Sequence, residues 1–229
     1  MKYIELQYAF ELEVNSLDNN KENVSSQDIL YWLNQGVSKF IKTRYGGNNF
    51  KRTSFEQDEK RSRDLMSLYK EYSPATLTKV PKVSYDEYSV TYPEDLLFVL
   101  DEAVNICPTG NTDKVRATEI FECTLDSYMY RITNTLTDFH YHHDYARPLR
   151  VRTDAGCRLL TDGNYDIVNY TVGYLRKPTP INLTNPFDEY TELPDYTHNE
   201  LVKLSAQMYI ENSSSPRYET INNEVSLME

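Results

Sequence analysis

Over residues 25–72 the apolar side chains recur at helical intervals, and no other stretch restricts the possible folds as tightly. Ile29, Leu33, Val37, Phe40 and Ile41 share one face of a 3.6-residue repeat. Ser25, placed three residues before Asp28, is positioned to bond an orphan amide at the helix start. Gly46 and Gly47 follow Tyr45 and predict the helix end, because glycine accepts the positive φ that releases the last carbonyls. A second helix is expected to open at a capping box of Ser54 and Gln57. It would carry Phe55, Leu65, Leu68, Tyr69 and Tyr72 as far as Pro74. About eight polar residues join the two, a common length for a helical hairpin.

Residues 2–17 admit two patterns. Ile4, Leu6, Tyr8, Phe10, Leu12 and Val14 alternate as in a strand, whereas Tyr3, Leu6, Phe10 and Leu17 step as in a helix. Glu5, Glu11 and Glu13 favour the helix, and the polar residues 18–23 follow as a loop. Past Pro74 the character changes to short runs at 77–80, 89–92, 97–106, 115–124, 149–153, 158–161 and 167–175. Turn signals separate them, among them Pro93-Glu94-Asp95, Pro108-Thr109-Gly110-Asn111, Asp154-Ala155-Gly156 and Asp162-Gly163-Asn164. Such punctuation predicts an antiparallel β-sandwich or irregular barrel. On the last run Tyr170, Val172 and Tyr174 share one face, with Thr171 and Gly173 on the other. Leu125, Met129, Ile132 and Leu136 predict a short helix within 125–139.

Pro178 and Pro180 cannot donate to a ladder, so residues 175–181 are expected to leave the sheet as an extended strap. A capping box of Thr197 and Glu200 then opens a helix with Leu201, Leu204, Met208 and Ile210 inward, packed on the first hairpin. Residues 217–229 form a polar tail. In it Tyr218, Ile221 and Val225 step by three and four, with Leu227 and Met228 beyond, so the tail reads either as an amphipathic helix against a partner or as a frayed terminus. The fold class expected is α+β: a helical bundle from the N- and C-terminal helices plus the β-body, divided as 1–74, 75–181 and 182–229.

Charge and composition narrow the function. Lys and Arg number 24 against 35 Asp and Glu, a net charge of −11, and no basic run offers a patch for phosphates, so bulk affinity for nucleic acid is not expected. No apolar run approaches the roughly 18–20 residues of a membrane helix. The start, Met1-Lys2-Tyr3-Ile4-Glu5, lacks the apolar core of a secretory signal, which predicts a chain made in a cytoplasm. Cys107, Cys123 and Cys157 are widely spaced and read as buried free thiols rather than zinc ligands or disulfides. Gly46-Gly47 is the one close glycine pair, so a phosphate-cradling loop is absent. The 20 tyrosines suit surfaces that bury area while keeping a polar tip.

Few residues offer chemistry. His140, His142 and His143 hold three of the four histidines, and with Asp144 they form the one metal-like cluster. They make a metal-dependent hydrolase centred on His140, His142 and Asp144 the enzymatic alternative. No second ligand group accompanies them, and a hydrated aromatic loop fits better, so neither metal nor cofactor is expected. The carboxylate pairs Asp86-Glu87, Glu94-Asp95, Asp101-Glu102 and Asp188-Glu189 read as solvated. No serine, cysteine or glycine motif supplies a nucleophile or a phosphate site, and the chain is not expected to be an enzyme. The positive region Lys39, Lys42, Arg44, Lys51, Arg52, Lys60, Arg61 and Arg63 alternates with Glu56, Asp58, Glu59 and Asp64. It predicts a solvated or inter-subunit face, with Tyr31, Lys39, Lys42 and Arg44 as candidate subunit contacts. A host-cell adaptor that binds another protein through the helical hairpin is the remaining alternative.

Several segments carry a resemblance. Asp28-Ile29-Leu30-Tyr31-Trp32-Leu33-Asn34, Phe40-Ile41-Lys42-Thr43-Arg44-Tyr45, Gly173-Tyr174-Leu175-Arg176-Lys177-Pro178 and His198-Asn199-Glu200-Leu201-Val202 resemble structural proteins of crAss-like bacteriophages. The order of helices, sheet, strap and closing helix is similar, more distantly, to head-to-tail adaptor proteins of short-tailed phages. The resemblance implies a virion protein at the head-tail interface. It would be a homo-oligomeric ring of twelve copies below the portal protein, joined to other ring or tail proteins and passed by genomic DNA without specific binding. It further implies that the C-terminal segment docks into the portal, with Tyr218, Ile221, Val225, Leu227 and Met228 as anchors. A negative wall suits such a conduit, because it neither neutralises phosphates nor releases counterions.

Overall fold

The computed structural model describes residues 1–17, 24–46, 58–134 and 146–212. The chain forms two compact units, Met1–Leu68 with Pro178–Glu229, and Tyr69–Lys177. The divisions fall at 68/69 and 177/178, where the sequence suggested 74/75 and 181/182.

The first unit is helical. Helix α1, Tyr3–Leu17, buries Leu6, Phe10 and Val14, one residue every four, which confirms the helical alternative for this segment. Helix α2, Ser26–Gly46, buries Ile29, Leu33, Val37, Phe40 and Ile41 as its spacing predicted. Its start is capped by Ser25, whose Oγ accepts from the Asp28 amide at 3.2 Å and donates to the Asp28 carboxylate at 2.6 Å. Gly46 remains the last helical residue and does not turn left-handed; Gly47 lies outside the described residues. Helix α3 is shorter than expected, Glu59–Leu65, with Asp58 accepting from the Arg61 amide at its start. The expected box of Ser54 and Gln57, and Phe55, lie outside the described residues. A 3₁₀ turn, Met66–Leu68, closes this helix, and Tyr69–Tyr72 is a strand rather than its last turn. Helical spacing of the two tyrosines misled here, because strand pairing within the other unit overrides local preference.

The last helix among the described residues, α5, is His198–Asn212 and follows a 3₁₀ turn, Asp195–Thr197. Thr197 does not form the expected box: its hydroxyl donates to the Pro194 carbonyl at 2.7 Å, and Glu200 reaches Arg44 instead. Leu201, Leu204 and Ile210 are buried as predicted while Met208 is half-buried. Helices α1, α2 and α5 pack side by side, with Phe10 and Trp32 meeting the Tyr209 ring edge-on at 6.0 and 6.2 Å. Gly36 permits the closest approach, since a Cβ there would lie 1.9 Å from Ser205 Oγ.

The second unit is a sandwich of two open sheets. One has the order β1-β9-β4-β5, built from Tyr69–Tyr72, Tyr165–Arg176, Leu96–Pro108 and Arg116–Thr118. The other has the order β2-β3-β8-β7-β6, built from Thr78–Pro81, Asp86–Thr91, Gly156–Thr161, Leu149–Thr153 and Phe121–Cys123. Between them pack Tyr88, Val90, Val104, Ile106, Cys157, Leu159, Tyr165, Ile167, Tyr170 and Val172. The long pair β4 and β9 is antiparallel with three register irregularities, which increase the local twist. At Gly173 an added Cβ would meet Asp101 Oδ1 at 1.9 Å, beside one of them.

The expected strand at 115–124 is two strands in different sheets, and β6 runs parallel to β7. No glycine or proline marks this crossing, so the sequence hid it. Strand β8 is buried on both faces: Leu159 faces the inter-sheet core, and Leu160 packs with Cys123, Leu149, Val151 and Ile132. Ile132 comes from helix α4, Tyr128–Thr133. Of the other residues predicted for that helix face, Leu125 and Met129 are 61% and 49% exposed, and Leu136 lies outside the described residues. Cys107, Cys123 and Cys157 are buried free thiols.

Candidate assembly interface

Helix α1 carries apolar residues on two opposite sides. Positions two apart on a helix are about 200° apart, so the alternating set divides into a buried stripe, Leu6, Phe10 and Val14, and an outward one. Ile4, Tyr8 and Leu12 form the latter, 41%, 62% and 52% exposed. On the helical wheel Glu5 and Glu11 flank the outward stripe, and no Lys or Arg lies within α1. Helix α2 presents a different face. Tyr31 is 56% exposed with its ring edge-on to Trp32 at 5.2 Å. Lys39 and Lys42 are exposed and not ion-paired among the described residues. From Tyr31 to Gly46 this helix has no acidic residue.

Arg44 belongs elsewhere. It was expected beside those lysines on a subunit-contacting face, yet it is 4% exposed and its guanidinium works inside the helical unit. Its Nε lies 2.9 Å from Asp64 Oδ2, it pairs closely with Glu200, and it covers the Phe40 ring at 4.8 Å. The cluster ties α2, α3 and α5 together. Burial pushes the Asp64 carboxyl above its usual range, against the pull of Arg44. Arg61 is likewise buried, with Asp58 at 3.7 Å, while Lys60 reaches Glu200 at 3.7 Å. Thus Arg44 and Arg61 of the predicted basic face turn inward, whereas Lys39, Lys42, Lys60 and Arg63 stay exposed. Lys51, Arg52 and Glu56 lie outside the described residues.

Two contacts had no sequence signal. Asn34 clamps the returning strap: its Oδ1 accepts from the Ile181 amide at 2.8 Å and its Nδ2 donates to the Ile181 carbonyl at 3.1 Å. His198, fully buried, has Nε2 3.1 Å from the Leu193 carbonyl and Nδ1 3.0 Å from the Met1 amino group. Burial, then the nearby ammonium, lower its pKa. Ile181 is distant in the chain from Asn34, as Met1 is from His198, and only the packed unit brings them together.

In the β unit several of the carboxylates read as solvated, Asp86, Glu87, Asp95 and Glu102, are paired, while Glu94 and Asp101 are exposed. Glu102 forms a close ion pair with Arg150 and accepts from Tyr170 at 2.5 Å and Tyr92 at 2.9 Å. Asp86 and Asp166 share Lys79, at 2.9 and 2.5 Å, and Asp95 accepts from Lys70 and Tyr174. The Glu102 cluster includes Cys157, but burial pushes that thiol up, the reverse of what an activated nucleophile needs. Burial likewise raises Tyr170. These groups hold strands together rather than poise a proton. Among the described residues no set of three His, Cys, Asp or Glu side chains could hold a metal ion. His140, His142, His143 and Asp144 lie outside them, as do the tail residues Tyr218, Ile221, Val225, Leu227 and Met228. No helix among the described residues is long and apolar enough to cross a membrane.

Among the described residues, the outward faces of α1 and α2 are the candidate interface. Ring protein 4/5 of Bacteroides phage crAss001 is 22% identical over 191 residues, covering 78% of this chain and 74% of that protein. The family model described as phage tail ring protein 3/4 matches residues 4–208, spanning both units from α1 to α5. This chain belongs to the phage tail ring protein 3/4 family and is a structural ring protein of a phage virion.

Proposed function

We propose that the chain forms one ring of the connector that joins head to tail, below the portal, with twelve copies surrounding the path of the genome. The observation that carries this reading is the family match over residues 4–208, which covers the helical and the β unit together and so concerns the whole architecture rather than one motif. The net charge of −11 supports a conduit, since a wall that neutralises no phosphates does not hold a passing duplex. Residues 217–229 are the proposed portal-docking peg, anchored by Tyr218, Ile221, Val225, Leu227 and Met228. Docking area would offset the cost of ordering such a segment on assembly.

Electron microscopy of the protein mixed with purified portal tests the reading. A ring seated on the portal, lost when residues 217–229 are deleted, is the expected outcome. Binding that survives the deletion removes the peg, and a particle in which this protein occupies no ring removes the connector role. Double-stranded DNA should show no retention by the assembled ring at physiological salt in a filter-binding assay.

A further inference from the structure

Resting on the ring reading, we infer that copies close the ring through unlike helix faces: the acid-flanked outer stripe of α1 on one copy docks against the basic outer face of α2 on the next. A closed ring requires a heterologous contact, so each copy must carry two different and complementary patches. The helical unit has such a pair. Ile4, Tyr8 and Leu12 project a second apolar stripe from a helix whose opposite stripe already fills the core. Large apolar side chains aligned on one exposed face mark a contact surface, unlike scattered ones. Glu5 and Glu11 border it, and α1 contains no cation to neutralise them. On α2, Tyr31 supplies an exposed aromatic, and Lys39 and Lys42 supply outward charge without a competing acid along the rest of that helix.

The two faces also match in length. At about 1.5 Å per residue, Ile4 to Leu12 spans about 12 Å and Tyr31 to Lys42 about 16 Å. The obvious rival occupant of the α1 stripe is the chain's own tail. Residues 217–229 carry Glu219, Glu224 and Glu229 against the single Arg217, and an acidic segment is repelled from a stripe bordered by glutamates. A second copy offering Lys39 and Lys42 is the complementary partner.

Cross-linking with a short bismaleimide in the assembled ring tests this, with buried Cys107, Cys123 and Cys157 silent in the wild-type control. Chains bearing Tyr8→Cys and chains bearing Tyr31→Cys should give an intermolecular product when mixed, and neither should when alone. Lys39→Glu with Lys42→Glu should cut that product at least tenfold, and Glu5→Lys with Glu11→Lys in the partner chain should restore it. A product from Tyr8→Cys alone, or none in any mixture while rings form, overturns the inference and leaves the ring reading standing. So does protection of Tyr8→Cys that vanishes on deleting residues 213–229, which would assign the stripe to the tail. A wild-type protein that forms no ring either in solution or in the virion overturns the ring reading itself.

Discussion

Arg150 and Glu102 face each other in the β unit with side chains 6% and 8% exposed. Removing one partner of a buried pair leaves the other charge uncompensated, which costs about 3–5 kcal/mol. Because the exposed carboxylate of Glu122 remains 2.8 Å from Arg150, Glu102→Ala should fall at the lower end, about 3 kcal/mol, read as a lowered urea midpoint. At Gly36 the added methyl of an alanine would strike Ser205, whose hydroxyl is held by the Leu201 carbonyl at 2.8 Å. Gly36→Ala should therefore lose about 1–3 kcal/mol despite alanine's better helix propensity, and Ser205→Ala in the same chain should recover most of it by calorimetry. His198 makes the helical unit sensitive to acid. Its pKa lies below the ordinary 6.5 in the folded chain, so between the two values the unfolded chain binds more protons. Its contribution is full above about pH 6.5 and is lost as pH falls below it. Melting temperature should drop over that window and flatten in His198→Gln. None of this was legible from residue order: the three histidines at 140–143 drew attention, whereas the burial of His198 depends on Leu193 and Tyr190 closing over it.

Among the elements, α1 shows how one pattern carries two meanings. Its strict alternation suggests a strand, yet on a helix the same spacing makes two opposite apolar faces, and the glutamates indicated which backbone applies. The core faces of α2 and α5 were legible because one continuous stripe meets one core. Strand β1 was not, since Tyr69–Tyr72 is a strand only by pairing with β9, from Tyr69 opposite Leu175 to Tyr72 opposite Val172. That the chain leaves the sheet there was legible from the prolines, since β9 ends at Arg176, but the anchor of the strap was hidden. Asn34→Ala would leave the amide of Ile181, a residue 3% exposed, without a partner, a loss of about 1–3 kcal/mol. Hydrogen exchange should accelerate at that amide first.

At the scale of the whole molecule, the β unit is an insertion between two parts of the helical one. Because Tyr69 pairs with Leu175, its two ends lie on neighbouring strands about 5 Å apart, the arrangement that lets inserted domains fold independently. Residues 69–177 expressed alone should keep a β circular dichroism spectrum and a cooperative melt; a fragment without one would show that the strands need the helical unit. The sequence by itself determined the class of each unit, the core stripes of the helices and the acidic balance, because periodicity and composition are local quantities that burial reads directly. Only the tertiary structure decided which charges turn inward and which stripe of α1 stays outside. Arg44 and Lys42 are alike as residues, and what separates them is Asp64 and Glu200, brought from α3 and α5 to one and not to the other.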